Sequence, residues 1–101
     1  MYVIVWRFVA NDPAEFERHY GPAGTWVAFF RRDPAFLRTE LLRGEAGEYL
    51  TLDYWVSEEA FLSFRAANLA EYEAIDRRCE TLTEREERIG GYVINPGAPP
   101  P

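Results

Sequence analysis

The chain has 101 residues, the size of one domain with a single core, and 48% of them are hydrophobic and 16% aromatic. Its net charge of −6 argues against binding to a phosphate backbone, which requires clustered cations, so we expect no nucleic-acid partner. No apolar run approaches the roughly 20 residues that span a bilayer, and no basic region followed by a hydrophobic stretch opens the sequence. We therefore expect no membrane partner and a cytoplasmic location.

Residue counts limit the chemistry further. Cys79 is the single cysteine and His19 the single histidine, so the chain cannot build an intrachain disulfide, a thiolate-rich metal site or a site of several imidazoles. All 11 basic residues are arginine, which leaves no lysine for a Schiff base. We expect no metal.

The first two predicted elements are a strand and a helix. Residues 2–9 (YVIVWRFV) combine β-branched and aromatic side chains, which favours a strand covered on both faces. Asp12 then suits an N-cap, Pro13 suits the first helical position, and Glu15 completes a capping box. This pattern predicts a helix to about Tyr20.

Glycine and proline at 21–24 interrupt the helix, and helical spacing of aromatic residues predicts that it resumes over 25–32. Residues 36–43 and 49–56 both have strand character, and the short connection between them contains two glycines. A connection of this length predicts a hairpin, so the two strands should be antiparallel neighbours.

A second helical region follows the hairpin. Ser57 can cap it, and a capping-box pattern that begins at Asn68 predicts a new helical segment with a kink near that residue. A further box pattern at Thr83 predicts that helix continues until the paired glycines at 90–91 stop it. Residues 92–94 are then expected to form a short last strand.

The predicted order β-α-β-β-α-β is that of the α+β ferredoxin-like fold, with both helical regions on one face of a four-stranded antiparallel sheet. We expect one domain over residues 1–94 and a disordered proline-rich tail over residues 95–101. Alternation along the first strand gives two apolar faces, so the face without helices needs a cover. A second copy would provide it, and we expect a homodimer that buries Val3 and Val5 or the alternate residues of that strand.

Three segments resemble a known family, namely YVIVWRF, FLRTELLRG and LTLDYWVSEEAFLSFRAANLAEY. They are similar to the antibiotic biosynthesis monooxygenases of the dimeric α+β barrel superfamily. The most specific match is W-x-S-x-x-A-F, formed by Trp55, Ser57, Ala60 and Phe61. The resemblance implies a small pocket in each subunit and oxidation of an aromatic or quinol-type substrate with O2, without metal, flavin or haem as cofactor.

Some relatives of that family bind and degrade haem, and their pattern can be compared with this chain. It requires an asparagine on the first strand, a tryptophan on the second helix and a histidine further along. The matching positions here are Trp6, Phe64 and Ala74, and no histidine follows His19. We therefore expect no haem.

A cofactor-free oxygenase needs an aromatic pocket, one base or hydrogen-bond donor and little water. We expect Asn68, Tyr72 and His19 to be the catalytic candidates, since an amide, a phenol and an imidazole can donate or accept protons. The expected pocket walls are Trp6, Trp26, Tyr54 and Phe64. The ligand would be a small apolar or aromatic molecule.

Each candidate also has a structural interpretation. The tryptophans suit core or dimer packing, Asn68 suits a helix cap, and His19 suits an exposed helix end. Arg7 and Asp53 are charges within strands, which favours an ion pair over an anion site or a catalytic carboxylate. Two functions stay open: an oxygenase of the family type, or a catalytically silent dimer that binds a small molecule or serves as an interaction module.

Overall fold

A computed structural model describes residues 1–95 of the chain. The expected tail at 95–101 lies outside the described residues except for Asn95. The elements in chain order are β1 (Tyr2–Ala10), α1 (Pro13–Tyr20), α2 (Thr25–Phe30), β2 (Phe36–Arg43), β3 (Glu48–Trp55), α3 (Glu58–Ala67), α4 (Leu69–Cys79) and β4 (Thr83–Val93). A short 3-10 turn at Glu80–Leu82 connects α4 to β4.

The helix starts follow the capping residues of the sequence. Asp12 Oδ1 accepts a hydrogen bond from the backbone N–H of Glu15 at 3.3 Å, and Ser57 Oγ accepts one from Ala60 at 3.1 Å. Each bond satisfies an amide that has no partner within its helix. Within residues 1–95, no helix is long and apolar enough to cross a bilayer.

The last part of the chain differs from the prediction. Helix was expected up to the glycines at 90–91, but α4 ends at Cys79 and β4 already begins at Thr83. The residues of β4 pair antiparallel with β1 from Thr83 opposite Ala10 to Val93 opposite Tyr2. A capping-box pattern is a weak local preference, and the backbone ladder to a central strand overrides it. The many charges of β4 suit its position at the edge of the sheet.

The sheet has four antiparallel strands in the order β2-β3-β1-β4. This arrangement confirms the predicted ferredoxin-like fold, in which β1 and β3 are the central strands. It also settles which side of β1 meets the helices. Ile4 and Phe8 are buried in the core with Phe16 of α1, and the rings of Phe8 and Phe16 lie 5.2 Å apart.

The core is mainly aromatic. Trp55 at the end of β3 is fully buried, and its ring lies within about 5.5 Å of the rings of Phe30, Phe36, Phe61 and Phe64. These contacts join α2, β2 and α3 to one side of the sheet. We call this side the helix face. The other side, the open face, carries Val3, Val5, Val9, Leu50 and Leu52.

Candidate functional site

A cavity of about 180 Å³ lies between the helix face of the sheet and the helices. Every strand and every helix contributes to its lining. The lining residues are Trp6, Phe8, Tyr20, Trp26, Phe30, Thr39, Thr51, Asp53, Arg65, Tyr72, Asp76 and Glu86. A concave, largely aromatic site with a few polar groups is typical of a small-molecule pocket.

Strand alternation builds the floor of the cavity. Trp6 of β1 stands opposite Thr51 of β3, and Thr39 of β2 stands opposite Asp53 of β3. Since side chains two residues apart point to the same side of a strand, Thr51 and Asp53 face the helices together. The middle of the floor is therefore an indole, two threonine hydroxyls and one carboxyl group, and Phe8 with Glu86 opposite it extends the floor toward β4.

Aromatic side chains of the helices form the roof. The ring of Trp26 in α2 lies 5.1 Å from that of Tyr72 in α4, in an edge-to-face arrangement. An ion pair between Arg32 and Glu71 also connects these helices, with one hydrogen bond of 2.8 Å from Arg32 Nη1 to Glu71 Oε1. The indole Nε1 of Trp26 is buried and makes no hydrogen bond of full geometry within residues 1–95, although it lies close enough to the Tyr20 hydroxyl to oppose in part the rise that burial causes in the pKa of Tyr20. Trp26 is therefore a candidate donor to a ligand.

Asp53 is the polar centre of the floor. Thr39 Oγ1 donates a hydrogen bond to Asp53 Oδ1 at 2.5 Å, while the second carboxyl oxygen has no hydrogen-bond partner among the described residues. Burial raises the pKa of Asp53 to about 6, although the hydrogen bond from Thr39 favours the ionised form. The carboxyl group therefore titrates near neutrality and has one oxygen available.

Charged groups surround the rest of the cavity. The guanidinium of Arg65 lies 4.9 Å from the ring centre of Tyr72, whose pKa is raised mainly by burial and lowered in part by Arg65. Burial also raises the pKa of Glu86, and the charge of Asp76 adds to this effect. Despite these carboxylates, no three His, Cys, Asp or Glu side chains in residues 1–95 are grouped as metal ligands would be.

The structure brings three of the predicted site residues together, since Trp6, Trp26 and Tyr72 all line the cavity. Phe64 does not line it and instead packs in the core, 4.9 Å from Phe29. Tyr54 was expected between sheet and second helix, but it lies on the open face under the guanidinium of Arg38 at 4.0 Å. The reason is alternation, because its neighbour in sequence, Asp53, occupies the helix face.

The other two catalytic candidates have their side chains outside the cavity lining. Asn68 separates α3 from α4, as the predicted kink requires, and its Nδ2 donates to the carbonyl of Phe64 at 2.9 Å. This bond replaces the expected cap, for which no side-chain hydrogen bond forms. His19 Nδ1 lies 2.8 Å from Thr25 Oγ1, and its Nε2 lies 3.7 Å from Glu15.

Arg7 and Asp53 were expected to form an ion pair with each other or across the dimer, but they do not pair within the chain, because they lie on opposite faces of the sheet. Arg7 pairs with Glu48 on the open face, where Nε and Nη2 donate at 3.0 and 2.9 Å to the two carboxyl oxygens. Sequence reasoning thus missed Asp53 as a cavity residue. A usable signal existed, since Asp53 shares its parity with Trp55, which suits the core.

The fold of this chain resembles that of solved oxygenase structures. No family model matches the chain, and no curated protein matches it. Two solved structures of SnoaB, a cofactor-independent oxygenase from Streptomyces nogalater, are 28% identical in sequence and cover 98% of this chain and 97% of their own. The TM-score is 0.72 for a variant of SnoaB and 0.71 for a structure at 1.9 Å resolution.

Proposed function

We propose that this chain is a cofactor-independent monooxygenase, because its fold and its structural neighbours confirm the predicted resemblance to antibiotic biosynthesis monooxygenases. Its substrate would be a small aromatic or quinol-type molecule that reacts with O2. The likeness to SnoaB over nearly the whole chain is the observation that carries this proposal. The cavity supports it with an aromatic lining and with a titratable carboxyl group, that of Asp53, among the lining residues.

The reaction requires only what such a cavity offers. A phenol that bears a hydrogen on the ring carbon to be oxidised reacts with O2 to give a quinone and water. One oxygen atom of O2 enters the quinone and the other leaves as water. The four electrons that reduce O2 come from the substrate. The protein must position the ring, accept the hydroxyl proton and stabilise developing negative charge. Trp6 and Tyr72 are placed to hold a flat ring, and Trp26 Nε1 is a candidate donor.

A catalytically silent binding dimer is the second candidate. One observation favours it: Asn68 and His19, two of the three predicted catalytic residues, make hydrogen bonds to other groups of the chain and do not line the cavity. A protein that only binds an aromatic molecule would need the same walls without these residues. The two functions differ in oxygen consumption.

Oxygen consumption with a panel of quinols and phenols therefore tests the proposal, with Tyr72→Phe and Asn68→Ala as a matched pair. Loss of the Tyr72 hydroxyl is expected to lower kcat/KM by about 100-fold if it donates to the developing oxyanion. Asn68→Ala removes the bond to Phe64 and is expected to cost about 1 kcal/mol of unfolding free energy while turnover per folded molecule stays unchanged. Absence of oxygen consumption with every substrate would favour the silent dimer.

We also propose a homodimer formed through the open face. Val5, Leu50 and Leu52 lie close together on this face and are partly exposed, and Leu42 at its edge is 47% exposed, whereas Val3 is already buried in the single chain. Apolar area of this kind is unfavourable in water and needs a cover. We expect sedimentation at micromolar concentration to give a mass near twice the chain mass of 11.7 kDa. A clean monomer would contradict the dimeric barrel.

A further inference from the structure

We infer that Asp53 is the general base that accepts the hydroxyl proton of a bound phenol, with Thr39 as its positioning residue. This inference rests on the proposed oxygenase function and assigns one step of it. It follows from the place of the carboxyl group on the cavity floor and from the hydrogen bond that leaves one of its oxygens free.

The geometry favours Asp53 over the other proton acceptors of the chain. The hydrogen bond from Thr39 fixes the orientation of the carboxyl group, because both strands hold these residues opposite each other. The free oxygen is then available to a ligand hydroxyl. Asp76 and Glu86 also line the cavity, and Glu86 likewise belongs to the sheet, opposite Phe8. Both are exposed residues, however, whereas Asp53 is partly buried.

The charges around Asp53 determine how it titrates. The titratable or charged groups that share the cavity with it are Tyr20 of α1, Arg65 of α3, Tyr72 and Asp76 of α4, and Glu86 of β4. The one nearby cation is therefore offset by two further carboxyl groups. Burial dominates, so Asp53 binds protons more tightly than an ordinary carboxylate and is still mostly ionised at neutral pH.

Asp53 accepts and returns protons during the proposed reaction and ends in its ionised state. Ionised Asp53 takes the proton of the phenol, which leaves a phenolate and a protonated carboxyl group. The electron-rich ring carbon bonds to O2, and the resulting peroxide anion takes the proton back from Asp53. The carboxylate then removes the hydrogen of the same ring carbon as the O–O bond breaks. Hydroxide leaves and receives that proton, which gives quinone and water and restores Asp53.

The test compares Asp53→Asn and Thr39→Val with Glu84→Gln, an exposed carboxyl-to-amide control outside the cavity. We expect Asp53→Asn to lower kcat/KM by about 100-fold or more. The wild-type rate should fall below about pH 6 as the base is protonated. Thr39→Val should shift this fall in rate to higher pH, because the lost hydrogen bond favoured the ionised form of Asp53. At pH values above the fall, the variant should remain active. Glu84→Gln should match wild type.

A second readout is independent of oxygenase activity. Anaerobic binding of a nitrophenol, followed by its absorbance across pH, should show for the wild type an inflection near pH 6 in addition to the ionisation of the nitrophenol itself. This additional inflection should move upward in Thr39→Val and disappear in Asp53→Asn, which keeps only the ionisation of the nitrophenol. An additional inflection that persists in Asp53→Asn, or an unchanged rate profile in either variant, would overturn the assignment. If the inflections appear as expected but no oxygen is consumed, only the proposed oxygenase function is contradicted.

Folding of the asparagine variant is checked separately. Asparagine can still accept the hydrogen bond from Thr39 and carries no charge to desolvate, so its thermal midpoint at pH 8 should equal or exceed that of the wild type. The difference in thermal midpoint should vanish at pH values below the ordinary pKa of an aspartate, where the folded and the unfolded wild-type protein both carry the proton on Asp53. If the variant nevertheless unfolds, the upward shift in Thr39→Val decides the question alone.

Discussion

Trp55→Ala is expected to lower the free energy of unfolding by about 3–5 kcal/mol, which is a large part of the stability of a domain of this size. Trp55 is fully buried, and its ring contacts side chains of α2, β2 and α3. Alanine would leave a cavity that these separate elements cannot close together. Urea denaturation followed by circular dichroism measures the change.

Trp55→Phe is the matched control. The indole Nε1 of Trp55 makes no hydrogen bond within residues 1–95, so phenylalanine loses ring volume but no hydrogen bond. We expect a loss clearly smaller than that of alanine. If the alanine variant lost less than about 1 kcal/mol, the neighbouring rings would have collapsed into the space and Trp55 would not be the central residue of this core.

Thr51→Phe is expected to lower kcat/KM of the proposed oxygenase by about 100-fold or more with little change in the thermal midpoint. Thr51 is buried on the cavity floor opposite Trp6, so a phenyl ring at this position would occupy the space of the substrate ring. Displacement of the substrate by about 1 Å is enough for a loss of this size. Steady-state oxygen consumption and differential scanning fluorimetry of the same preparation give both quantities.

The control for this prediction is Thr81→Phe, the same chemical change at an exposed residue outside the cavity. It should leave turnover at the wild-type level. If Thr51→Phe kept full activity while folding normally, the substrate would bind elsewhere, and the cavity between sheet and helices would lose its assignment. If instead its thermal midpoint fell steeply, overpacking of the floor would explain the lost activity.

Most of the fold could be predicted from local chemistry, because the capping residues and strand patterns act over a few residues. Asp12 and Ser57 cap the helices that they were expected to cap, and β2 has the predicted bounds. The prediction was wrong where a nonlocal contact decides the structure. Residues from Thr83 onward have a helical capping pattern, yet they form β4 because β1 offers a backbone ladder.

The site was harder to predict, since strand parity has to be known before any strand residue can be assigned to a cavity. Both faces of β1 are apolar, so the sequence left the parity open. Once the helix face is known, alternation along β3 brings Asp53 into the cavity and moves Tyr54 out of it. Parity is fixed by packing across the whole domain, which explains why the sequence alone did not indicate that Asp53 lies in the cavity beside Trp6.

The position of β4 beside β1 has a consequence for how this chain is made. The two strands belong to opposite ends of the sequence, and the ladder ends with a hydrogen bond of 2.9 Å from the amide of Ile94 to the carbonyl of Met1. During synthesis, β1 is made before all the other elements of residues 1–95 and lacks its edge partner until β4 has been added. Contacts of such large sequence separation slow folding, because a long loop must close before they form. Completion of the sheet therefore waits for β4, and until β4 is available the apolar strand Tyr2–Ala10 has an unpaired edge that is open to wrong contacts.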